Sequence, residues 1–138
     1  MLLATQKTSV IDKERLLQVV NGSLSSWTTY APYLDFFWRR LRHSLPVPAE
    51  EVPHDVITMN SRFALGDDRD GGTTSYTLVY PEDEAPHLGH VSVLSPMGIA
   101  LYGAKVGDKV CWMSASGPEV ATVEEMTYQP EAAGHYHH

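Results

Sequence analysis

The stretch "VSVLSPMGIALYGAKVGDKV", residues 91–110, decides the fold. It opens as alternating Val-Ser-Val, passes through Ser-Pro into a short apolar run, and returns through Gly-Asp to a strand-like Lys-Val. Ser95 is placed to cap a helix and Pro96 to fill its first turn, where a missing N–H costs nothing. The spacing predicts a helix over about Met97 to Ala104. Met97, Ala100, Leu101 and Ala104 are expected to face a sheet, and Gly103 or Gly107 to reverse the chain. The corner offers no activated nucleophile, so it reads as a rigid, exposed elbow between strand and helix.

Around this helix the apolar period is two. "DVITMNSRFAL", "TSYTLVY", "HVSVLS", "KVCWMS" and "EVATVEEMTYQ" are five strand-like runs separated by turn clusters. A small antiparallel sheet with one helix on one face is an α+β arrangement. Upstream the period changes to 3.6. Ser9 with Asp12 fits an N-terminal cap, Leu16, Leu17 and Val20 share a helical face, and Asn21-Gly22 is expected to stop a helix of about three turns. From Pro32, Leu34, Phe37, Trp38, Leu41 and Leu45 line a second helix, with Asp35 and Arg39 set for an i,i+4 pair. Three prolines in "LPVPAEEVPH", residues 45–54, mark a linker. The predicted organisation is an antiparallel helical hairpin over residues 1–46 followed by an α+β domain over residues 47–138.

At 138 residues and 43% apolar content the chain can bury a core. Its net charge of −7 is unevenly spread. Residues 1–45 carry six basic and three acidic side chains, and residues 46–138 carry four basic and fourteen acidic ones. An acidic body lacks the basic footprint that phosphate contacts need, which argues against direct nucleic-acid binding. Neither a signal-peptide run nor a membrane span is evident, so a soluble cytoplasmic protein with no membrane partner is expected. The lone Cys111 permits neither an intrachain disulfide nor a thiolate cluster and reads as a packed, reduced thiol.

Candidate chemical sites resolve mostly into structural ones. The acidic "GDDRDGG", residues 66–72, puts Gly66 and Thr77 where a calcium loop needs ligands, so it reads as a hairpin turn. His87 and His90 lack a third ligand, and the terminal "HYHH" is given no function. No P-loop, dinucleotide fingerprint, G-x-S-x-G or HExxH occurs, so no cofactor, metal or catalytic residue is assigned. The densest positive cluster is "RRLRH", with Arg39, Arg40, Arg42 and His43. It reads either as a solvated helix face over apolar stems or as a docking surface. No pattern sets an oligomeric state.

"PHDVITMNSRFAL", "YTLVYPED", "VSVLSPMGIALYGAKVGDKVCW" and "YQPEAAGHY" occur in this order over residues 53–136. Together they resemble the regulator-of-nucleoside-diphosphate-kinase type within the GreA/GreB transcription factor family. The pattern "SPxGxALxGxxVGD", Ser95 to Asp108, is similar to the wider Gre carboxyl-terminal domain. The resemblance implies an FKBP-like domain after a coiled-coil hairpin, no enzymatic activity, and docking on RNA polymerase at the secondary-channel rim. Nucleic acid would be met only through that polymerase complex. Gre factors grip the rim partly through an Asp-Ser-Pro elbow, for which this chain has Leu94, Ser95 and Pro96. The polymerase-binding candidates are therefore Leu94, Ser95, Pro96 and Met97, with Arg39 and Arg42 as a basic addition.

Gre factors stimulate transcript cleavage with carboxylates at the tip of a long coiled coil. Here "NGSLSSWTTYAP", residues 21–32, contains none. Helices of about 10 and 14 residues would reach only about 15–21 Å. Competition with Gre factors without cleavage is the expected outcome. The alternatives are a regulator of another partner linked to nucleoside diphosphate kinase, and a prolyl isomerase or chaperone-like module.

Overall fold

The computed structural model describes residues 7–26 and 32–134, and the chain divides into two compact units, Met1–Val52 and Pro53–His138. In the first, β1 (Lys7–Ser9) runs into α1 (Val10–Ser26), α2 (Pro32–Arg42) follows, and β2 (Leu45–Val47) returns parallel to β1. Leu16, Phe37, Leu41 and Val47 are buried. Ser9 Oγ accepts the Asp12 amide at 3.1 Å, as the cap spacing predicts. The Lys13 ammonium donates to the carbonyls of Ser44 (2.8 Å) and Arg42 (3.4 Å), meeting the negative end of α2 where helix carbonyls lack partners.

Two expectations fail in this unit. Asn21-Gly22 does not stop α1, which continues through Ser26 over 17 residues. A helix-interior Gly costs only about 1 kcal/mol, and packing of α1 on α2 overrides it. Leu45 is not on the apolar face of α2 but in β2, where it is 47% exposed. The proline-rich linker thus begins as a strand, tolerable because each strand of a two-stranded sheet is an edge that need not donate from Pro46. Asp35 and the "HYHH" end lie outside the described side chains, so neither the Asp35–Arg39 pair nor the terminal histidines are placed.

The second unit is an α+β sheet of five strands. β3 (Arg62–Asp67), β4 (Thr73–Val79), β5 (His90–Ser92), β6 (Lys109–Ser114) and β7 (Gly117–Tyr128) lie in the order β5-β4-β3-β7-β6. One face carries Phe63, Leu65, Leu78, Val110 and Val123 into the core. α3 (Pro96–Leu101) packs beside β5 and β6. A last turn, α4 (Pro130–Ala133), follows β7. Two register shifts between β3 and β7 insert extra residues into the longer strand, and bulges of this kind curl a sheet.

The sheet is not wholly antiparallel, because β4 and β5 pair in parallel, Thr77 opposite His90 and Val79 opposite Ser92. Residues 80–89 make the necessary crossover compactly, with 3-10 turns at Pro81–Asp83 and Pro86–Leu88 and Gly89 at φ 75°. The first strand is also shorter than "DVITMNSRFAL" suggests. Thr58 to Ser61 form a turn with Asn60 at φ 66°, closed by the Ser61 amide donating to Thr58 O at 3.1 Å, so pairing begins at Arg62. Cys111 is exposed rather than packed, because edge strand β6 points it away from the core. Among the described residues no helix is long and apolar enough to cross a membrane.

Candidate functional site

The elbow is built by local hydrogen bonds. At the end of β5 the Ser92 carbonyl accepts from the Ser95 amide (3.1 Å) and from Ser95 Oγ (2.7 Å), while Ser92 Oγ accepts from the Leu94 amide (3.1 Å). Ser95 Oγ in turn accepts from the Gly98 amide at 3.0 Å, and Pro96 occupies the first helical position. One hydroxyl thus ties the strand end to the helix start across the three-residue turn at 93–95. Pro96 is exposed, and Leu94, Ser95 and Met97 are half-exposed around it. Residues 91–104 carry no charged side chain, so the corner is apolar and uncharged.

The helix ends at Leu101, earlier than Ala104, and turns back at Gly103 (φ 84°). Its buried side chains are Ile99 and Leu101, with Tyr102 and Ala104 buried just beyond. Met97 and Ala100, expected on the sheet side, are only half-buried. Gly98 explains the rotation. An ideal Cβ there would stand 2.0 Å from Ser92 O and 2.8 Å from Val93 Cα, so the helix presses its backbone on the β5 exit through its one missing side chain. Gly98 was visible in the sequence only as a fixed member of the Ser95–Asp108 pattern.

Arg39 and Arg42 lie in the other unit, both exposed, on the last turn of α2. The Arg42 guanidinium stacks over Trp38 at 4.8 Å and that of Arg40 over Phe37 at 5.5 Å, so both are partly used in covering aromatic faces. The acidic stretch is the β3–β4 turn. Asp67 Oδ1 accepts the Arg69 amide and Asp70 Oδ1 the Gly72 amide, each at 2.7 Å. Among the described residues no group of three His, Cys, Asp or Glu could hold a metal ion.

Comparison with known proteins supplies the context for this corner. The family model described as the GreA/GreB transcription elongation factor C-terminal region matches residues 52–128. A regulator of nucleoside diphosphate kinase from Escherichia coli K12 is 48% identical over 90 residues, which is 63% of this chain and 65% of that protein. The chain therefore matches just under two thirds of that relative's length. A transcription elongation factor GreA from Sulfurovum is 31% identical over 81 residues, covering 59% of this chain and 50% of that one. Among solved structures, a prokaryotic GreA/GreB elongation factor from Nitrosomonas europaea aligns with a TM-score of 0.77 and 30% identity, over 91% of this chain and all of that one.

Proposed function

The chain belongs to the GreA/GreB transcription elongation factor family, a membership that marks a transcription-factor-like regulator, and we propose that it docks on RNA polymerase at the secondary-channel rim without stimulating transcript cleavage. The observation that carries this reading is the elbow. Leu94 to Met97 form a capped, uncharged corner at the position where the resemblance puts the Gre grip, and they have no reactive group of their own. Leu94 in place of the Gre acid makes the proposed contact apolar. Such a contact draws its affinity from desolvated packing, with Arg39 and Arg42 adding steering charge from the other unit.

Absence of cleavage rests on composition rather than on reach. α1 alone spans about 25 Å at 1.5 Å per residue, longer than its sequence suggests. Between Glu14 and Glu50, however, the only carboxylate is Asp35, which lies on α2. Cleavage requires carboxylates that help hold a second magnesium and activate water. Residues 21–31 supply none. In a backtracked elongation complex the protein should slow Gre-dependent cleavage in proportion to its concentration and cause none itself. Magnesium-dependent shortening of the transcript above the polymerase's intrinsic rate, with no Gre factor present, would refute this. The site of action is then the cytoplasm.

A second reading follows from the 48% identity to a protein named for regulating nucleoside diphosphate kinase: a partner linked to that kinase rather than polymerase. Pull-down from lysate separates the two. Recovery of the large polymerase subunits supports docking, and recovery of the kinase without them supports the alternative.

A further inference from the structure

A small open cavity of about 100 Å³ lies on the core face of the sheet. Its lining includes Leu65 and Ala121, both buried, Tyr76 and Trp112, and the carboxylates Asp67 and Glu119. The register brings these residues together from four strands. Phe63 opposes Tyr76, Asp67 opposes Ala121, and Trp112 opposes Glu119, so all lie on one face although they span residues 65–121. Tyr76 is braced by the Phe63 ring at a centroid distance of 6.5 Å. Two aromatic rings and two carboxylates around a small recess form the chemistry that selects an organic cation, through the ring faces and through charge. The volume suits a guanidinium or ammonium head and is well below the roughly 300 Å³ of a pocket for a drug-sized ligand.

The molecule already shows that this rim accepts such a group. The Arg69 guanidinium, on the β3–β4 turn, pairs with Glu119, and the Arg69 amide donates to Asp67 Oδ1 at 2.7 Å. The Arg69 side chain is 67% exposed, and an ion pair so open to solvent is worth little, so a competing cation displaces it at small cost. Beside the cavity runs β6, an edge strand of the sheet, which carries Trp112 on the cavity side and exposed Cys111 and Met113 on the other. An edge strand offers its outer backbone groups to an added strand whose alternate side chains point to the same face.

We infer that β6 and the Tyr76–Trp112–Asp67–Glu119 recess form a docking site for an extended, basic polypeptide segment, which pairs along β6 and inserts one arginine or lysine between the rings and carboxylates. The charge of the region agrees, with fourteen acidic and four basic side chains over residues 46–138. The site shares no residue with the elbow and stands whether or not polymerase is the partner.

The test is a titration of the full chain, followed by backbone NMR, with a short Thr/Val peptide bearing one central arginine and with its citrulline counterpart. The arginine peptide should shift the amides of Lys109–Ser114 and the Trp112 indole, and bind about 3- to 30-fold tighter than the citrulline peptide. Combined Asp67→Asn and Glu119→Gln, which keeps an acceptor for the Arg69 amide and so keeps the turn, should abolish that preference. Arg69→Gln should raise affinity for the arginine peptide severalfold by removing the resident competitor. Equal binding of the two peptides, no shift at millimolar peptide, or indifference to Arg69→Gln would each overturn the proposal. Self-association through β6, abolished by Met113→Lys, would also overturn it by assigning the edge to a second copy.

Discussion

Replacing Gly98 by Ala should destabilise the second unit and disorder the elbow, although the change favours helix in isolation. Ala gains about 1 kcal/mol over Gly within a helix. Against this, the new methyl would stand 2.0 Å from Ser92 O, about 1.4 Å inside ordinary contact, with the obstructing atoms in backbone on both sides. No side chain can swing away, so α3 must retreat from the β5 exit. Overpacking of this kind costs about 1–3 kcal/mol, and the retreat also stretches the Ser95 cap, worth about 1 kcal/mol more. The net loss is about 1–3 kcal/mol, or roughly 4–12 °C in Tm for a chain of this size. Urea and thermal unfolding measure it. Gly107→Ala is the control, since Gly107 has φ 97° but open space around it and should lose only about 1 kcal/mol to backbone strain. A Gly98→Ala protein at or above wild-type stability would mean that α3 is not pressed on the strand, and the rigidity argued for the elbow would fail.

Gln129→Ala should cost about 2–4 kcal/mol in urea unfolding. The side chain is 3% exposed, donates to Pro53 O and Val56 O at 2.7 Å each and accepts the Ala132 amide, so its loss removes three part-buried hydrogen bonds at about 1 kcal/mol each; a loss below about 1 kcal/mol would refute this. The Lys109 ammonium, then the Thr122 hydroxyl, hold the Asp68 carboxyl below its ordinary range. A depressed folded value gives stability that is present above the unfolded carboxylate pKa and lost as pH falls through the folded one, so Lys109→Met should raise the Asp68 midpoint in an NMR titration. An unmoved midpoint would exclude Lys109 as the main cause. For polymerase binding, Pro96→Arg should weaken affinity more than Arg39→Ala with Arg42→Ala, and only the arginine pair should change the salt dependence; equal losses would misplace the packed contact.

What the sequence reveals of this fold follows the range of the interactions involved. The Ser95 cap, the Pro96 start, a glycine reversal at Gly103 or Gly107 and the acidic turn rest on contacts within a few residues, and each is readable from spacing alone. The five strands are readable for the same reason. Their pairing is not, since the parallel β4–β5 contact depends on a crossover folded by two 3-10 turns that period-two patterns do not encode. The pairing of β1 with β2 is similarly hidden. Three residues in each strand, separated by two helices, give no periodic signal, and three prolines around the second point to a linker. Asn21-Gly22 shows the opposite error, a strong local stop overridden by the packing of α1 on α2.

The two candidate sites divide along the same line, and that division bears on how each can vary. Leu94 to Met97 are consecutive and are held by bonds among Ser92, Ser95 and Gly98, so the elbow persists wherever those three residues do, whatever apolar or acidic residue fills the Leu94 position. Exchange at Leu94 therefore changes which partner surface is met without rebuilding the corner. The recess of Tyr76, Trp112, Asp67 and Glu119 has no local pattern, because it exists only when β4, β3, β7 and β6 keep their register. A one-residue slip would turn Trp112 to the opposite face and bring Cys111 into its place. Its chemistry is thus coupled to the stability of the β6–β7 ladder. Loosening that hairpin should abolish cation selectivity, and because α3 also packs on β6 it should loosen the helix side of the elbow while leaving the Ser92–Ser95 bonds of the turn in place.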